Sequence, residues 1–88
     1  MVFNYVGLKQ YFYGGKMTLQ ELLVNYVWDD NVEIQFREHG FSVDNKVVYT
    51  GSPRYLPLEL NPREVLGIYS NDDHLVICVK ATREEINE

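Results

Sequence analysis

The side chains with the greatest potential for chemistry are Asp72, Asp73 and His74, which adjoin one another between two predicted strands. Carboxylate and imidazole groups bind divalent ions, but only when several of them converge on one centre. Neighbouring residues of a tight turn point in different directions, and no further acids or histidines stand at ligand spacing. Aspartate is also common in turns for backbone reasons alone. We therefore predict no metal site and no cofactor.

Other reactive groups also lack the partners that catalysis needs. Cys78 alternates with inward-facing residues of a predicted strand, which is typical of a small buried hydrophobic residue. His39 stands beside a glycine, with no acid that the sequence places next to it. Gly14-Gly15 lacks the lysine and the spacing of a phosphate-binding loop. The sequence predicts that the protein is not an enzyme.

Charge and composition narrow the class of partner. Residues 1–20 carry two lysines and no acid, whereas the remainder carries six basic and thirteen acidic residues, a net charge of −7. Such a body repels a phosphate backbone, so we expect no direct contact with nucleic acid.

No apolar run approaches the ~20 residues that span a bilayer, so we expect no membrane contact. A single cysteine excludes an internal disulfide, and we expect a reducing, cytoplasmic location.

The elements that position these residues begin with a helix. Thr18-Leu19-Gln20-Glu21 matches a capping box, and Met17 with Leu22 forms a hydrophobic staple. Apolar residues then recur at helical spacing and predict one buried stripe, made of Leu19, Leu22, Leu23, Tyr26 and Val27.

Four strands are predicted after the helix. Residues 32–37 alternate apolar and polar, residues 47–50 form a second strand, and residues 65–70 and 74–80 read as a hairpin. Asn61-Pro62 predicts a short helical turn between the second and third strands. The fold class is α+β, with one main helix packed on an antiparallel sheet of about four strands.

The last strand is apolar on both faces, so something must cover the second one. The aromatic-rich N-terminal segment is the expected cover, either as a strand or as a short helix, and a second copy of the chain is the alternative. We divide the single domain, residues 1–88, into an extension at 1–16, a core at 17–80 and a polar tail at 81–88 that we expect to fray.

Seven tyrosines and four phenylalanines exceed what the core of so short a chain needs. Tyrosine is favoured in protein interfaces because it buries a large area at little cost in side-chain entropy. Tyr13, Tyr49 and Tyr55 lie beside glycine or proline breaks and are the predicted interface aromatics.

The span 17–80 resembles small proteins of bacteriophages and mobile elements, most of them without an assigned role. Three stretches carry the resemblance, namely Met17 to Leu23, Val65 to Ser70 and Asp72 to Ile77. It implies the capped helix and the hairpin, and it brings no active site.

Small acidic phage proteins resemble inhibitors of host defence, including the anti-CRISPR proteins. The resemblance implies a host protein as partner, such as an RNA-guided nuclease, whose basic nucleic-acid site carboxylates would occupy. Candidate contact residues are Asp29, Asp30, Glu33, Glu38, Asp72 and Asp73. Alternatives are a self-associating structural or accessory phage protein and a regulatory subunit of a host complex. The resemblance also implies that such an inhibitor acts in the cytoplasm of the host bacterial cell, as a monomer or a homodimer.

Overall fold

The computed structural model describes residues 16–26, 31–40, 42–71 and 74–88. The described residues form two helices, four strands and two short 3-10 turns. In chain order these are α1 (Leu19–Tyr26), β1 (Val32–Arg37), β2 (Lys46–Gly51), the turns Pro53–Tyr55 and Leu58–Leu60, β3 (Val65–Asn71), β4 (His74–Lys80) and α2 (Arg83–Asn87). The predicted α+β class is confirmed, although α1 is short. The predicted N-terminal cover lies outside the described residues.

The four strands form one mixed sheet in the order β2-β1-β4-β3. β1 pairs antiparallel with β2, and β3 pairs antiparallel with β4, which confirms the predicted hairpin of residues 65–70 and 74–80. β1 and β4 run parallel, so the prediction of a wholly antiparallel sheet is wrong at the centre. The apolar alternation shows which faces are buried but carries no information on strand direction. The strand that is apolar on both faces, β4, occupies a central position.

The predicted capping box of α1 is confirmed. The Thr18 amide donates to Glu21 Oε1 at 2.9 Å, and the Glu21 amide donates to Thr18 Oγ1 at 3.2 Å. Met17, Leu19 and Leu22 are fully buried, and Leu23 is half-buried against the same core. The predicted stripe therefore holds as far as Leu23, and the remaining side chains of the stripe lie outside the described residues.

The main core lies on one face of the sheet, between the strands on one side and, on the other, α1 and the segment that connects β2 to β3. It includes Ile34 and Ile77 from the central strands and Leu56 and Leu60 from the 3-10 turns. Backbone hydrogen bonds fix α1 to the chain before β3. The Leu19 amide donates to the Arg63 carbonyl at 2.9 Å, and the Val65 amide donates to the Met17 carbonyl at 2.8 Å.

The predicted helical turn at Asn61-Pro62 is displaced toward the N-terminus. The second 3-10 turn ends at Leu60, and Asn61 stands after it with its amide donating to the Leu58 carbonyl at 3.1 Å. Asn61 therefore closes a turn instead of opening one. Pro57 precedes that turn and directs the chain into it with an extended backbone.

The C-terminal residues, expected to fray, form the helix α2. Thr82 and Glu85 make a second capping box, with the Thr82 amide donating to Glu85 Oε1 at 2.9 Å. Arg63 donates two hydrogen bonds to the Glu85 carboxylate and lies over the Phe36 ring, 4.4 Å from its centroid. The side-chain hydrogen bond from Arg63 is the main cause that lowers the pKa of Glu85 to about 2. Ile86 packs against the core, so α2 is anchored on both its polar and its apolar side.

Candidate protein-binding surface

The crossing segment between β2 and β3 is ordered by consecutive turns. Ser52 caps the first turn, accepting a hydrogen bond at its hydroxyl from the Arg54 amide at 3.2 Å. The Leu56 amide donates to the Pro53 carbonyl at 3.3 Å, and the Leu60 amide donates to the Pro57 carbonyl at 3.1 Å. Proline restricts φ at the start of each turn, which lowers the conformational freedom lost on folding.

Some side chains of this segment are buried in the core, whereas others are exposed to solvent. Leu56 and Leu60 are buried and belong to the core. Tyr55 and Leu58 are 76% and 80% exposed, and Pro57 between them is exposed as well. We call Tyr55, Pro57 and Leu58 the Tyr55–Leu58 ridge. The buried leucines hold the backbone, and the ridge presents apolar side chains to solvent.

Tyr49 has a different place from Tyr55. It lies on the core face of β2, paired with Ile34, and is half-buried against the core. Its hydroxyl donates a hydrogen bond to the Ser52 carbonyl at the start of the crossing segment. Gly51, at φ 142°, allows the backbone to turn between them, in a conformation that L side chains rarely adopt. Tyr49 thus positions the segment that carries Tyr55.

Glu33 lies on the face of the sheet opposite the core, where it has two neighbouring partners. Its Oε1 is 3.2 Å from His74 Nε2, and its Oε2 accepts a hydrogen bond from Gln35 Nε2 at 2.6 Å. The side chain is largely buried. Both carboxylate oxygens therefore have partners within the domain, which leaves little of this group for an external cation.

The polar network continues along β1. Arg37 donates to Gln35 Oε1 at 3.2 Å and to the Ser42 carbonyl at 2.9 Å. The Cys78 thiol lies 3.9 Å from Gln35 Oε1. Burial raises the pKa of Cys78, an effect that the nearby Arg37 partly opposes. A buried thiol with a raised pKa stays protonated at neutral pH, which is the state of a structural cysteine.

Glu38 follows β1 and forms an ion pair with α2. Its Oε1 is 3.1 Å from Arg83 Nη2, and both side chains remain partly exposed. Glu33 and Glu38 therefore stand in separate surroundings, each beside a basic or imidazole partner. The predicted contact residues Tyr13, Asp29, Asp30, Asp72 and Asp73 lie outside the described residues.

Sequence reasoning missed Leu58 as an exposed apolar residue. The signal was present in the proline-bounded segment, where two leucines are buried and the third is not, but only the fold reveals which one faces solvent. Among the described residues, no three His, Cys, Asp or Glu side chains form a group that could hold a metal ion. Neither helix in the described ranges is long and apolar enough to cross a membrane.

Comparison of the chain with protein-family models, with curated proteins and with solved structures finds no match.

Proposed function

We propose that this chain is a non-enzymatic protein-binding module that contacts its partner through the Tyr55–Leu58 ridge. The observation that supports it is a tyrosine and a leucine, both mostly exposed, on a turn whose neighbouring leucines are buried. Tyrosine is enriched among the residues that anchor protein interfaces, and an exposed leucine lies three positions after it in the same ordered segment.

The ridge suits binding because its backbone is ordered before a partner arrives. Association costs free energy for every side chain and loop that it immobilises, and a preformed turn reduces that cost. Tyrosine adds a large contact area with few rotatable bonds. Glu59, exposed beside Leu58, adds a carboxylate to the apolar contact.

In its more specific form, the proposal is a phage-encoded inhibitor of a host defence protein, with an acidic surface that occupies a nucleic-acid-binding site. The formal net charge of −5 and the resemblance to small phage proteins support this form. Glu33 and Glu38 already pair with groups of the domain itself. The acidic contact with a partner therefore depends on the four predicted aspartates, Asp29, Asp30, Asp72 and Asp73. A self-associating phage protein would use the same ridge between two copies of the chain, and a regulatory subunit would use it on a host complex.

The test begins with capture of a host protein on the immobilised full-length chain, followed by measurement of its dissociation constant. Tyr55→Ala and Leu58→Ser should each weaken binding at least about tenfold, since interface anchors cost more than about 1.4 kcal/mol when truncated. The control is Val24→Ala on α1, where the side chain is 72% exposed but lies outside the ridge. The inhibitor form further expects nucleic acid to compete for the captured protein and added salt to weaken the complex.

Three results would count against parts of the proposal. Binding that tolerates both ridge variants as well as the control rejects the ridge. Binding that coexists with nucleic acid and ignores salt rejects the acidic mimic but leaves the ridge in place. Concentration-dependent assembly that the ridge variants abolish, seen by light scattering without any host protein, favours self-association.

A further inference from the structure

A cavity of about 280 Å³ opens between the chain after β1 and the C-terminal helix α2. Glu38, Val43 and Asp44 line one side of it, and Arg83, Ile86 and Asn87 line the other. The two sides are joined by the ion pair between Glu38 and Arg83 and by a hydrogen bond from Lys46 Nζ to a Glu88 oxygen at 3.0 Å. The capping box and core contact of α2 hold the second side in place.

Both acidic and basic side chains line the cavity. Among the lining residues that the structure describes, Glu38 and Asp44 carry carboxylates and Arg83 carries a guanidinium. Arg83 already lies beside Glu38, at 3.1 Å. Asp44 is exposed, and its charge attracts cations from outside the domain.

Apolar side chains lie next to these acids. Val43 is 87% exposed, and Ile86 is half-buried against the core. A group that fills the cavity therefore meets an apolar wall and a carboxylate together. Lysine and arginine have this character, because an aliphatic stem ends in a positive charge.

We propose that the cavity receives a lysine or arginine side chain of a partner protein, with the stem against Val43 and Ile86 and the charge beside Asp44. The inference rests on the proposed protein-binding function and adds a second contact, separate from the Tyr55–Leu58 ridge. Its volume lies just below the range of about 300–1,000 Å³ that is usual for small-molecule pockets. A single inserted side chain fits that size better than a larger ligand.

The experiment titrates the isotopically labelled full chain with Nα-acetyl-lysine amide and Nα-acetyl-arginine amide, followed by amide chemical shifts in NMR spectra. Saturable shifts should be confined to the chain after β1 and to α2. Nα-acetyl-norleucine amide has a similar stem without the charge and should give no saturable shift. Added salt should weaken the basic probes, because exposed charge pairs are screened.

Two matched variants locate the charge. Asp44→Asn should raise the dissociation constant of the basic probes about two- to fivefold, the loss usual for one exposed charge pair. Glu84→Gln removes an exposed carboxylate of α2 that does not line the cavity, and it should leave the constant unchanged. Shifts that do not saturate, an equal response to the norleucine probe, or equal weakening by both variants would overturn the inference. None of these results would alter the effect of Tyr55→Ala on partner binding, so the two proposals fail separately.

Discussion

Replacing Leu22 by alanine tests how α1 is held on the sheet. Leu22 is fully buried and belongs to the core cluster together with Met17 and Leu19. Truncation of a fully buried leucine costs about 2–5 kcal/mol, the sum of lost transfer free energy and the cavity left behind. A domain of this length has a total stability of roughly 4–13 kcal/mol, so the loss is a large fraction of it.

Neighbouring positions of the same helix provide the controls. Val24 is exposed, and its replacement by alanine should change the free energy of unfolding by less than about 0.5 kcal/mol. Leu23 is half-buried against the core, so Leu23→Ala should fall between the two. All three changes end in alanine, and the helix propensity gained when β-branched Val24 is replaced amounts to only some tenths of a kcal/mol, so the larger loss expected for Leu22→Ala reports burial.

Urea denaturation followed by circular dichroism measures these differences. The midpoint should fall most for Leu22→Ala, while the slope of the free energy against urea stays constant, since a similar surface is exposed on unfolding. A midpoint for Leu22→Ala no lower than that for Val24→Ala would show that α1 does not pack on the sheet as described.

Two further predictions concern the chain ends. The pKa of Glu85 is lowered to about 2, so the stability it contributes should be present above its ordinary value of 4.5 and lost as the pH falls toward 2. Melting curves between about pH 7 and pH 2 should show Glu85→Gln below the parent chain at neutral pH, with a gap that closes in acid; a constant gap would contradict this. Val76 and Cys78 are buried on the face opposite the core cluster, and deleting residues 1–16 should expose them and raise the binding of an apolar dye. Equal dye binding and stability in the truncated chain would show that the cover comes from elsewhere.

The two capping boxes show what sequence reasoning can and cannot find. Thr18 to Glu21 precedes a long apolar stripe, and that stripe is what makes the box recognisable. Thr82 to Glu85 has the same residue types, but only Ile86 follows as an apolar contact. Most of the stability of a short helix comes from tertiary contacts, here with Arg63 and the core, and these are not visible in local sequence.

The two described tyrosines make a similar point for the candidate site. Tyr49 and Tyr55 both stand near glycine or proline breaks, so the sequence treats them alike. The register of β2 on β1 turns Tyr49 toward Ile34 and the core, whereas the first 3-10 turn directs Tyr55 to solvent. Strand register and turn geometry depend on pairing partners far along the chain, which a single sequence does not specify. The parallel pairing of β1 with β4 escaped prediction for the same reason.

The crossing segment combines stability and recognition in one short stretch, but it divides them between different residues. Leu56 and Leu60 bind the segment to the core, so changes there alter folding and the position of the ridge together. Tyr55 and Leu58 make their side chains available on the opposite side, so changes there leave the core contacts intact. Surface substitutions away from buried groups usually change stability by no more than about 0.5 kcal/mol, whereas truncated interface anchors cost several times that in binding. A loss of binding in Tyr55→Ala at an unchanged melting temperature therefore has one physical reading, the loss of a contact with the partner.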